Sequence, residues 1–153
     1  MQGLGHVGAA LLVYLPLGAG LRLAGEPEAA AGGLLVAIAL SSLPDIDQSL
    51  PVPHRGPTHT VWFVSACGLL AGALGWLWSG PTAGLVAGTA AGLSLCSHLA
   101  ADSITPMGIR PLLPLSSREF CFSIVYAANE RANRLLFGAG ALATVCSYLP
   151  VVV

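Results

Sequence analysis

The amino-acid sequence predicts an all-α protein, a polytopic membrane helical bundle with about five transmembrane segments (four to five), and three observations carry that prediction. Only 8% of the 153 residues are charged, with 6 basic side chains against 7 acidic ones, where a soluble domain has roughly 25%. Hydrophobic residues make up 55% of the chain and glycines number 19. The apolar residues also come in unbroken runs rather than at the spacing of a half-buried helix or strand. A water-soluble surface cannot be built from this composition. Disorder, which needs low hydrophobicity and many charges, is excluded from the other side. Lipid must therefore replace water as the solvent for most of the surface. With a net charge of −1 and no basic patch, nucleic acid is not expected as a partner.

Each span follows from the run that would fill it, since about 20 apolar residues cross a hydrocarbon core as a helix. The first runs from about Gly3 to Leu21, interrupted by His6 and by Pro16, which should kink it. No Lys or Arg precedes it, so it reads as a retained span rather than a cleaved leader. The second, Ala29 to Leu43, follows the turn Gly25-Glu26-Pro27-Glu28 and stops at Pro44; its shortness would draw its C-terminal end into the interface. The third, Thr60 to Trp78, and the fourth, Thr82 to Ala101, are joined by Ser79-Gly80-Pro81 into a helical hairpin. Gly68 and Gly72 on one, and Gly84, Gly88 and Gly92 on the other, recur every four residues and allow close approach of two helices in lipid. Trp76 and Trp78 fit an aromatic belt. A polar, proline-punctuated stretch from Asp102 to Arg134 follows, within which Met107 to Leu115 and Phe120 to Ala128 are apolar enough to lie at the interface. The last run is Leu135 to Val153. The whole of residues 1–153 reads as a single integral-membrane domain without repeats. The cysteines Cys67, Cys96, Cys121 and Cys146 have neither paired nor metal-type spacing and are assigned no function.

The arginines predict the orientation. With a cytoplasmic N-terminus, Arg55, Arg110, Arg118, Arg131 and Arg134 all fall in cytoplasmic loops and only Arg22 lies outside, as the positive-inside rule requires.

Ionisable groups in or beside spans are costly and are functional candidates by default. Alternating helix direction brings His6, Asp45, Asp47, His54, His59, His98 and Asp102 to one membrane face. His98 and Asp102 are four residues apart and share a helix face, with Ser94 a turn below. Asp45-Ile46-Asp47, after a proline-terminated helix, can direct two carboxylates toward one point. Imidazole and carboxylate are ligands for zinc and, with more oxygen, for manganese or iron. Asp45, Asp47, His59, His98 and Asp102, with His6, are the candidate metal ligands. His54 is either a ligand or a proton shuttle. The set is large enough for two ions, or for one ion with carboxylates orienting its imidazoles. Arg55 either anchors the loop or binds an anion beside the metal, and Thr58 is a candidate cap for the third helix. Arg110 and Arg118 read as topology determinants that can also reach an anionic headgroup.

Several elements occur in order: Gly5-His6, Leu43-Pro44-Asp45-Ile46-Asp47, His54-Arg55-Gly56-Pro57-Thr58-His59-Thr60, Ser97-His98-Leu99-Ala100-Ala101-Asp102, and Thr105-Pro106-Met107-Gly108 through Leu112-Leu113-Pro114. Over nearly its whole length the chain resembles the YdjM-like, LexA-regulated inner-membrane family of metal-dependent hydrolases. It departs from longer members in having only Gln48 to Pro53 between the Asp pair and His54. The resemblance implies metal-assisted hydrolysis and a prokaryotic inner membrane, and it makes Glu130, in Glu130-Arg131 before the last span, a further candidate catalytic residue beside His54 and Arg55.

Together these readings predict a metal-dependent hydrolase with a His/Asp site at the cytoplasmic-side interface. The site's depth points to a lipid or lipid-linked phosphoester as substrate, with one or two divalent ions, zinc ahead of manganese or iron. The alternatives are an ion or metal transporter, or a non-catalytic membrane protein with a structural metal. Oligomeric state is not legible in the sequence.

Overall fold

The computed structural model describes residues 1–148. Five helices make up the fold: α1 (Gly3–Leu23), α2 (Pro27–Leu40), α3 (Val61–Ser79), α4 (Pro81–Ser103) and α5 (Glu130–Tyr148). There is no strand among the described residues; a lone antiparallel bridge, Ile109 to Phe120, pins the connection between α4 and α5. Four segments have the length and hydropathy to cross a membrane: α1, α3, α4, and α2 together with its continuation to Ser49.

The expected fifth span, Leu135 to Val153, extends beyond the described residues. What is described of it lies in α5, whose opening turns carry Glu130, Arg131 and Arg134. α5 lies parallel to α1 along its length. At one end the Gln2 amide donates to Asn133 Oδ1 (3.0 Å). Midway, a β-carbon on Gly140 would stand 2.6 Å from the Gly8 carbonyl oxygen. At the other end the Arg22 guanidinium donates to the Ser147 carbonyl and stands 4.6 Å over the Tyr148 ring. Glycines permit that proximity because nothing projects between the two backbones.

α4 is the hub of the bundle, touching α1, α2 and α3. Half of its apolar stretch is buried inside the protein, against 6% for α3, and small residues explain the difference. Gly84, Ala90, Ala91, Ser94, Ser97 and Ala101 are buried on α4, whereas Leu69, Leu74, Trp76 and Leu77 of α3 face outward. The α3–α4 hairpin closes on the expected glycines: a β-carbon on Gly84 would lie 2.8 Å from the Gly72 carbonyl oxygen, and one on Gly88 3.1 Å from that of Gly68. Two hydrogen bonds tie the other helices together, Tyr14 Oη to Ala30 O at 2.7 Å and Ser94 Oγ to Ala37 O at 2.6 Å. In hydrocarbon such bonds hold helices together for about 0.6–2 kcal/mol each.

The end of α2 differs from expectation. The α-helix stops at Leu40 and a 3₁₀ segment, Leu43–Ser49, carries the chain on through Pro44. Proline is tolerated there because the amides of a first turn have no partner within the helix. The consequence concerns Asp45 and Asp47. At three residues per turn, side chains two apart leave the backbone about 120° apart, although an oxygen of each still comes within 4.8 Å of the other. A second 3₁₀ turn, Pro57–His59, precedes α3. The cap of α3 is Thr60, whose hydroxyl accepts from Phe63 N–H at 3.3 Å, and not Thr58. Being two residues farther from the helix start, Thr58 is free to point into the site.

Candidate metal centre

Packing α1 beside α4, and the 3₁₀ segments over their ends, gathers the conspicuous polar residues into one buried cluster. His6, Asp47, His59, His98 and Asp102 are almost wholly enclosed, while Asp45 keeps 19% and His54 35% of the side-chain surface exposed. Those two line the way in.

The imidazoles of His59 and His98 are held in defined tautomers by what they bond on their outer side. His98 Nδ1 is 2.8 Å from the Ser41 carbonyl. A carbonyl only accepts, so the proton is on Nδ1 and the Nε2 lone pair faces inward. His59 Nδ1 lies 3.0 Å from Thr58 Oγ1 and 3.3 Å from Asp47 Oδ2. The Thr58 hydroxyl spends its own proton on Asp47 Oδ2 (3.0 Å), so it accepts from His59 Nδ1–H, and again Nε2 is left as the bare nitrogen. The two Nε2 atoms stand 3.3 Å apart, two lone pairs face to face in a dry interior. That arrangement is repulsive unless a cation lies between them.

The carboxylates complete the ring. Asp102 Oδ2 is 3.3 Å from His59 Nε2 and 3.7 Å from His98 Nε2, yet no hydrogen bond satisfies it although it is buried. Asp45 Oδ1 is 3.8 Å from the same two nitrogens, and its Oδ2 is 3.7 Å from His6 Nε2. His6 stacks on His98 with centroids 3.6 Å apart; its Nε2 is 3.6 Å from Asp102 Oδ1 and 3.0 Å from the Met1 carbonyl, a hydrogen bond it would exchange for the ion as a ligand. His6, Asp45, His98 and Asp102 each offer one donor atom within 4.8 Å of the others. Donors sharing one tetrahedral ion at zinc distances stand about 3.4 Å apart, so spacings of 3.3–3.8 Å suit a single cation. The orphaned Asp102 oxygen and the opposed imidazole nitrogens are what such an ion would satisfy, and the donor set of imidazole and carboxylate fits zinc, manganese or iron.

Asp47 is hydrogen-bonded within the protein through both of its oxygens. Its Oδ2 accepts from Arg55 N–H at 2.8 Å as well as from Thr58, and its Oδ1 is 2.8 Å from His54 Nδ1. It thus orients the imidazole rings of two histidines, and with Asp45 and His54 it also forms a second, more open group whose ligand atoms lie within 4.8 Å of one another. Arg55 is buried with φ +59°. Its Nη1 donates to Thr105 Oγ1 (2.7 Å), Gly108 O (3.0 Å) and Asp102 O (3.3 Å), and its Nη2 pairs with Asp102 Oδ1 at 3.0 Å. The two terminal nitrogens are therefore committed to holding the end of α4 and the turn beyond it, while Nε is buried without a partner. The Met1 amino group also contacts Asp102 Oδ1. Glu130 is not brought into the cluster: it is exposed and pairs with Arg134 at 2.8 Å, four residues along α5.

Sequence reasoning did not single out Ser41, Thr105 or Asn133 for the site. Ser41 acts through a backbone carbonyl, which no side-chain pattern announces. Thr105 was legible only as part of Thr105-Pro106-Met107-Gly108.

The family model for the YdjM inner membrane protein matches residues 1–152. A search of curated proteins and a search of solved structures find no match.

Proposed function

Because the chain belongs to the YdjM inner membrane protein family, it is a multi-pass membrane protein in contact with the bilayer, and from that premise we propose that it is a metal-dependent hydrolase. The observation that carries the proposal is the pair of inward-facing imidazole nitrogens of His59 and His98, 3.3 Å apart, beside an unsatisfied Asp102 oxygen. His59, His98, Asp45 and Asp102, with His6, would hold one divalent ion, zinc ahead of manganese or iron. When bound, such an ion supplies Lewis acidity, acidifying water and polarising the bond under attack.

The chain's own residues supply the rest. Asp47 accepts from His54 Nδ1–H, which leaves His54 Nε2 as the basic nitrogen, half-exposed at the way in. It can take a proton from water and return it to the leaving oxygen. Asp47, through Thr58, also holds His59 in its inward-facing tautomer. Arg55 is a positioning residue, locking Asp102 to the turn at Thr105 and Gly108. Because the site lies at the ends of apolar helices, the substrate class we propose is a lipid or lipid-linked phosphoester. Orientation belongs to the same proposal: five of the six arginines lie at the site end, so that end is cytoplasmic.

Purified full-length protein incubated with a panel of phospholipids and lipid phosphates, with and without Zn²⁺ or Mn²⁺, tests the activity. Metal-dependent release of product, abolished by chelation, is the expected result. Bound metal with no turnover on any member of the panel overturns the hydrolase reading.

A further inference from the structure

Beside the histidine and aspartate cluster lies a cavity of about 220 Å³, lined among others by His54, Arg55, Met107, Arg110, Leu113 and Glu119. Two residues that flank the Ile109–Phe120 bridge meet at its rim. Arg110 Nε and Nη2 donate to Glu119 at 3.1 and 2.8 Å, both to the one oxygen Oε2. The pair is about half-exposed, 54% and 42%, and exposed ion pairs of this kind are weak and easily exchanged. Arg55, deeper in the same cavity, has an Nε–H that is buried without a partner. A cavity with one spare buried donor, an arginine held only on a single carboxylate oxygen, and the basic His54 in its wall is chemically complementary to a tetrahedral oxyanion. Phosphate offers more charge than a carboxylate and three acceptor oxygens, and the arginine fork matches it better than Glu119 does.

We propose that this cavity is the phosphate subsite of the substrate, with Arg110 as its binding cation, Arg55 Nε–H as its inner donor, and Glu119 as the carboxylate that an incoming phosphate displaces. This rests on the hydrolase reading of the adjacent cluster and supplies what that reading lacked, since the Arg55 nitrogens at its tip are already spent on the protein. The apolar walls at Met107 and Leu113 suit a phosphate carried on a lipid, and the same donors would take free phosphate.

Equilibrium binding of inorganic phosphate and of dioctanoyl phosphatidic acid to the full-length protein in nanodiscs, with metal content measured in parallel, tests the assignment. Arg110→Gln should weaken phosphate binding about tenfold or more, the worth of a charge-assisted pair. Glu119→Gln should strengthen it severalfold by freeing Arg110. A merely structural salt bridge would make both variants change in the same direction, because each removes the same pair; that outcome overturns the proposal. Tighter binding of phosphatidic acid than of phosphate, lost in Arg110→Gln, supports the subsite and identifies a lipid headgroup as its source. Equal binding of the two, likewise lost, supports it with free phosphate as the source. If the protein binds metal but Arg110→Gln leaves phosphate binding unchanged, the subsite fails while the metal reading stands. If no metal is bound while Arg110 still governs phosphate binding, the hydrolase reading fails and the anion site survives.

Discussion

Asp47 illustrates how much one side chain can determine through its hydrogen bonds. Its two oxygens reach His54, Thr58, the Arg55 amide and the neighbourhood of His59, so an amide in its place would present a donor where only acceptors are tolerated. Asp47→Asn should lower metal affinity by ~10–100-fold, the usual cost of losing a carboxylate behind a ligating histidine. Titration with a competing chelator measures it. His54→Gln, by contrast, should retain the metal and lose turnover, by ~10²–10⁴-fold for a general base, so the two variants separate orientation from proton transfer. The composition of this site was legible: every histidine and all three site acids stood out as ionisable groups in an apolar chain. The allocation of roles was not. Asp45 and Asp47 look equivalent two residues apart, yet Asp45 stands beside the Nε2 atoms of His59 and His98, while Asp47 bonds His54 and Thr58. Arg55 looked wholly available for an anion, but Thr105 and Gly108, fifty residues downstream, occupy its Nη1 and leave only Nε–H without a partner. Glu130 stood beside the other candidates through family resemblance alone, and its partner is Arg134.

At the level of helices, the α3–α4 hairpin depends on glycines whose missing side chains are filled by the opposite backbone. Gly84→Ala puts a β-carbon 2.8 Å from the Gly72 carbonyl oxygen, and backbone cannot step aside as a side chain can. The expected cost is about 1–3 kcal/mol, as for other overpacked positions, seen as a lowered unfolding temperature in detergent. Gly92→Ala is the matched control, because nothing lies within 4 Å of the added carbon, and it should unfold at the wild-type temperature. The hairpin and its glycine spacing were readable because membrane packing writes itself in small residues. The partnership of α1 with α5 was not, since it joins the two ends of the chain and depends on Gly8 and Gly140, which form no local pattern.

For the molecule as a whole, the apolar runs alone established the class of fold, and four of the expected spans appear with boundaries within a few residues, apart from the prolonged end of α2. The proposed orientation makes a prediction at this scale. A reporter active only in the cytoplasm should be active when inserted between Ser116 and Arg118 and silent when inserted at Gly25. The reverse pattern would turn the site toward the outside and exclude a cytoplasmic substrate.

The parallel pairing of α1 with α5 also has a consequence for biogenesis. A ribosome delivers α1 first and α5 more than a hundred residues later, so the glycine face of α1 must wait in lipid for most of synthesis. His6 rides on that same helix, next to Gly5, whose missing side chain is filled by Asn133 of α5. His6 meets His98 as soon as α4 is in place, whereas closing the bundle is a late event, α1 being fastened to α5 like a clasp.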